Sequence, residues 1–148
     1  MGARLFVILF IFVCLVAAQQ NPKPDVFVEC DKTAKTQADL NECARRDDAS
    51  ADEELKRTYQ ELLKRVVSDP IATKKIEAAQ QAWITFREAQ SAAVYPAEDK
   101  REYGSVFPMC ANLLRADLIR QRTKMLKEMM KKAVEGDVCA AGYPESAP

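Results

Sequence analysis

The chain contains no histidine, which excludes Ser-His-Asp and Cys-His catalysis, histidine metal ligands and any side chain that titrates unperturbed near neutral pH. Glycine occurs only four times, and no phosphate-cradling glycine loop, nucleophile elbow or zinc-ligand spacing is present. Net charge is also absent: 22 basic and 22 acidic residues cancel, which argues against the basic footprint of nucleic-acid binding. No cofactor, metal or nucleic-acid partner is expected, and an enzyme would have to rely on paired carboxylates such as Asp48 and Asp52. A length of 148 residues fits one domain.

Long apolar runs are missing except at the start, where Leu5 to Val16 is uninterrupted and ends in Val16-Ala17-Ala18 behind Arg4. This pattern is that of a secretory signal peptide over residues 1–18, too short for the ~20 residues that span a bilayer. Cys14 follows bulky Val13, where a lipidated cysteine needs a small neighbour, so no lipid anchor is expected. Removing Arg4 leaves 21 bases against 22 acids, and four cysteines: Cys30, Cys43, Cys110 and Cys139. An even number in a secreted or periplasmic domain implies two disulfides with three connectivities open.

Residues 19–35 carry Pro22 and Pro24 and no helical periodicity, and read as an extended leader. Thr36 and Asp39 then resemble a capping box. Leu40, Cys43, Ala44, Ala51, Leu55, Tyr59, Leu62 and Val66 step mostly by three or four, which predicts a helix of about thirty residues. Asp69-Pro70 caps the next, whose inner stripe is expected at Ile76, Ala79, Trp83, Phe86 and Ala93, ending near Tyr95-Pro96. After a polar loop from Ala97 to Ser105, Pro108 opens a third helix with Met109, Leu113, Leu114, Leu118, Met125, Leu126, Met129 and Val134 inward, closed by Gly136. No segment reads as a strand. The expectation is an all-α, antiparallel three-helix up-down-up bundle with disulfides over residues 36–135, followed by a tail, 136–148.

Seven acids against four bases lie between Asp39 and Arg57, and seven bases against two acids between Arg115 and Lys132. These read either as solvated helix faces or, for the acidic stretch, as a surface for a cationic partner.

Four segments resemble the lysozyme inhibitor LprI-like family of small exported helical domains. Thr36-Gln37 through Asn41-Glu42-Cys43-Ala44 is similar to its opening. Ala51-Asp52-Glu53-Glu54-Leu55 with Tyr59 resembles its Ala-Asp-x-x-Leu-Asn-x-x-Tyr signature, with Lys56 in place of Asn. Gln80-Gln81-Ala82-Trp83-Ile84-Thr85-Phe86-Arg87-Glu88-Ala89 is the most specific piece, with Glu88 for the usual Asp. Gly104-Ser105-Val106-Phe107-Pro108-Met109 and Arg122 with Leu126 complete the set. The resemblance implies a lysozyme inhibitor, a non-enzymatic binder of a cationic muramidase; the alternative is a disulfide-stapled cell-envelope module with another protein partner.

The family usually has two further cysteines where this chain holds Ser91 and Leu114. Cys30 with Cys43 is the preferred first bond, since the leader can fold back over the following helix. A Cys110–Cys139 bond requires the last helix to end near Lys131 and the tail to run back; otherwise Cys139 is free or links a dimer, and Cys110 lies near Cys43. The motif residues Cys30, Cys43, Leu55, Tyr59, Gln80, Trp83, Arg87, Gly104, Pro108 and Arg122 are expected to be structural, with Trp83 in the core and Arg87 stacked nearby or bonded to Asp52 or Glu88. Partner contact is expected at Asp47, Asp48 and Asp52 of the acidic stretch and at Tyr103 and Ser105 of the loop.

Overall fold

The computed structural model describes residues 26–132, 136–137, 139 and 142–144; the expected signal sequence and Val134 lie outside them. The described chain is all-helical: α1 (Val26–Asp31), α2 (Gln37–Arg65), α3 (Pro70–Val94), a 3₁₀ turn (Lys100–Tyr103) and α4 (Phe107–Met129).

Helix α2 starts where the capping box forms. Thr36 Oγ1 accepts from the Asp39 N–H at 3.1 Å, and Asp39 Oδ2 accepts from the N–H groups of Thr36 and Lys35 at 2.9 and 3.0 Å. The Lys35 N–H, followed by Thr36, holds the Asp39 carboxyl below its ordinary value. Asp69 likewise caps α3, accepting from Ile71 and Ala72 with Pro70 in the first turn.

Residues 26–31 are helical, not extended as the leader was expected to be. Six residues are too few to show a period. They are held by a disulfide between Cys30 and Cys43 and by the Phe27 N–H donating to Asp47 Oδ1 at 3.2 Å.

Helices α2 and α4 run parallel and share most of the close packing. Their core contains Ala51, Leu55 and Leu62 from α2 and Val66, which caps its end, with Ala116, Ile119 and Leu126 from α4. Helix α3 returns between them as the antiparallel middle element and buries only Ala72 and Ile76. The up-down-up bundle is therefore present, but α3 is rotated from its expected register. Phe86 is 52% exposed and Ala79 and Ala93 are exposed, while Gln80, Trp83, Arg87 and Ser91 turn toward the bundle. A hydrophobicity pattern cannot anticipate Gln80 and Arg87 on the inner face. Met125 also points out at 57% exposure, and Arg122 and Thr123 occupy the buried face of α4.

Helix α4 stops at Met129, five residues short of its expected end. The returning tail explains this: the Tyr143 N–H donates to the Met129 carbonyl at 2.6 Å, and Arg65 Nη1 donates to the carbonyls of Met130 and Tyr143 at 3.0 and 3.3 Å. A Cβ on Gly142 would sit 2.7 Å from the Met129 carbonyl oxygen, so this closure requires glycine. Docking Tyr143 here also separates Cys139 from Cys110, which lies at the opposite end of α4, about 28 Å away along the axis. The Cys110–Cys139 bond does not form although the helix ends early: Cys139 is exposed and free, and Cys110 is free and half-buried beside Tyr95.

Candidate functional site

The acidic and basic stretches meet each other. Asp48 pairs with Arg115, whose Nε donates to Oδ1 at 2.9 Å and whose Nη2 reaches Oδ2. Arg120 Nη2 donates to Asp47 Oδ1 at 2.6 Å, and Lys127 Nζ to Glu54 Oε1 at 2.5 Å. The hydrogen bond from Lys127 keeps the Glu54 carboxyl below its ordinary value, and the Asp48 carboxylate raises that of Arg115. Asp47 is 0% and Asp48 3% exposed. Burial takes these two expected contact residues off the surface: their carboxylates tie α2 to α4, and Asp47 also anchors α1.

Asp52 is differently placed. Together with Leu55, Lys56 and Tyr59 of α2 and Gln80, Trp83, Ile84 and Arg87 of α3 it lines a groove of about 290 Å³. Six residues that carried the family resemblance thus converge here from two helices. The Arg87 guanidinium lies 5.3 Å from the Trp83 ring centroid and pairs with Glu88 at 2.7 Å. Asp52 pairs with Lys56 at 2.7 Å. Behind the groove, Arg122 Nε donates to Gln80 Oε1 at 3.0 Å. Burial lowers the basicity of Arg122, which is 7% exposed, and raises the pKa of Tyr59. Arg122 was foreseen as a motif residue but not as a buried charge. The signal was its spacing, since Ile119 and Leu126 lie three before and four after it on the core face.

The loop before α4 is built on aromatic rings. Tyr95, Tyr103 and Phe107 form a trio with centroids 5.3 to 5.4 Å apart, and the Tyr103 hydroxyl accepts from the Ala97 N–H at 2.8 Å. Gly104 has φ 71°, a conformation unfavourable to other residues, and Asn41 Nδ2 donates to the Ser105 carbonyl at 3.1 Å. Ser105 is exposed and makes no side-chain cap, because Val106 is the N-cap of α4. Glu98 and Glu102 are exposed with no ion pair among the described residues, whereas Asp99 is occupied by Arg101. Tyr103 is half-buried with its hydroxyl engaged, whereas Glu98 to Glu102 and Ser105 are exposed, the cations Lys100 and Arg101 among them.

Ser91 and Leu114, where the resemblance placed a missing disulfide, line one cavity of about 230 Å³ with Tyr95, Phe107 and Ala111. The two positions thus face the same space between α3 and α4.

A disulfide-stapled helical bundle whose motif side chains converge on one groove defines a class of small helical domain. The chain matches the family described as Lysozyme inhibitor LprI over residues 30–126 and belongs to it. It is also 35% identical over 142 residues to an uncharacterized protein of Rhizobium meliloti (strain 1021), covering 84% of this chain and 94% of that protein. No solved structure matches it. Among the described residues, no helix is long and apolar enough to cross a membrane, and no cluster of cysteine and carboxylate side chains could hold a metal ion.

Proposed function

We propose that the protein is an exported, non-enzymatic inhibitor that binds a cationic muramidase and blocks its cleft by protein–protein contact. The observation that carries this reading is the family match across residues 30–126. The loop before α4 supports the reading: Glu98, Glu102 and Ser105 are exposed beside the aromatic trio, and the two carboxylates have no ion pair among the described residues. Unpaired carboxylates on a rigid loop suit a basic partner and accelerate its approach at low salt. Asp52 remains a contact candidate at the edge of its groove, while Asp47 and Asp48 act by holding the scaffold.

The test is hydrolysis of cell walls by a lysozyme in the presence of the purified, oxidised mature chain across a salt series. Inhibition that weakens as salt rises is expected. Absence of inhibition at low salt would leave a folded envelope module with a different partner.

A further inference from the structure

The groove between α2 and α3 has a charge left over. On its walls Lys56 is paired with Asp52 and Arg87 with Glu88. Behind its floor Arg122 is buried and has no carboxylate partner among the described residues; the neutral Gln80 amide is its hydrogen-bond acceptor. Glu77 acts on Tyr59 only through its field. A buried guanidinium without a counter-charge is costly, and the other buried charged side chains among the described residues, Asp47 and Asp48, each have an arginine.

The arrangement shows where the compensating charge would enter. Because Gln80 Oε1 accepts from Arg122, the amide's Nε2 donors are left for the groove that Gln80 lines. A chain of hydrogen bonds then runs from the guanidinium through the amide to whatever accepts from Nε2, each bond polarising the next. The Tyr59 hydroxyl, with no hydrogen-bond partner among the described residues, and Arg87 line the same space.

We propose that this groove is a binding site for a carboxylate carried on a small apolar body, with Gln80 and Tyr59 donating to the carboxylate, Arg122 supplying the balancing charge, and the Trp83 and Leu55 side chains packing on the body. This ligand is anionic and the site lies apart from the Glu98–Glu102 loop, so the assignment does not depend on muramidase binding.

Trp83 is the single tryptophan of the chain, so its fluorescence reports the groove directly. The folded, oxidised protein is titrated with sodium cyclohexanecarboxylate and, at matched ionic strength, with cyclohexanecarboxamide as the neutral isostere. A saturable change with the carboxylate and none with the carboxamide is expected. In Gln80→Glu the chain supplies its own carboxylate to Arg122, so this variant should melt at a higher temperature than wild type and bind the carboxylate roughly tenfold or more weakly. Equal responses to both probes, no response to the carboxylate, or a Gln80→Glu protein that melts lower or binds like wild type would each overturn the proposal.

Discussion

Between α2 and α4 the chain buries leucine, isoleucine and alanine and spans the seam with ion pairs; α3 lies against that pair through Ala72, Ile76 and a row of largely polar side chains. The first seam fills its volume with groups that ask only for burial, and its charges cancel across 67 to 73 residues of sequence. The second leaves a groove, gives Arg122 no counter-charge among the described residues and turns Phe86 to solvent. The apolar stripe keeps its helical period where α2 meets α4, whereas the face that α3 turns toward them carries polar motif side chains, a departure from pattern of the kind that functional sites show.

The contrast is broken most sharply by truncating one apolar residue from each side. Leu126→Ala, at a fully buried position, should cost about 3 to 5 kcal/mol in chemical denaturation, whereas Phe86→Ala should cost no more than about 0.5 kcal/mol. Similar losses would mean that α3 is as tightly packed as its neighbours. Next in size is the staple holding α1 to α2. Replacing Cys30 and Cys43 together by serine opens a loop of sequence separation 13, and the denaturation midpoint should fall by the equivalent of about 3 kcal/mol.

Smaller effects sharpen the picture of the α2 surface. Thr36→Ala removes the acceptor for the Asp39 N–H and should cost about 1 kcal/mol, visible as a lower Tm. Glu54 gives the least. Its carboxyl sits below the ordinary value of 4.5 because Lys127 donates to it, so the pair's stabilisation is present above that pH and is lost as pH falls through the lower folded value. The loss should be a few tenths of a kcal/mol, since both side chains are about half exposed. Glu54→Gln should flatten that part of the Tm–pH profile, and an unchanged slope would show that the pair contributes nothing.

Much of this was legible in the chain. The stripe from Cys43 to Val66, the Thr36–Asp39 box and the Asp69-Pro70 start all appear as read, because each depends on residues within one or two turns. Asp47 and Asp48 looked like surface acids because carboxylates are rarely buried unless paired, and their partners lie far along the chain. A regularity was nevertheless present: Asp47 to Arg120 and Glu54 to Lys127 share the same separation of 73 residues, as a parallel helix pair requires. The end of α4 was hidden for another reason. It is set by Tyr143 and Arg65 closing on the last carbonyls, a tertiary contact with no local signature. The resemblance gathered the motif residues before any geometry was available, but only the fold shows that Asp52, Tyr59, Gln80, Trp83 and Arg87 share a groove while Glu98, Glu102 and Ser105 form a separate loop.

On the proposed function, the loop before α4 is the main contact for the muramidase, ahead of the acids of α2. The decisive measurement is lysozyme inhibition at low salt for the Glu98→Gln/Glu102→Gln double variant beside Glu53→Gln, another exposed acid, on α2. The loop variant is expected to need roughly tenfold more protein for half-inhibition while Glu53→Gln behaves as wild type; equal potency of the loop variant and wild type would contradict the claim.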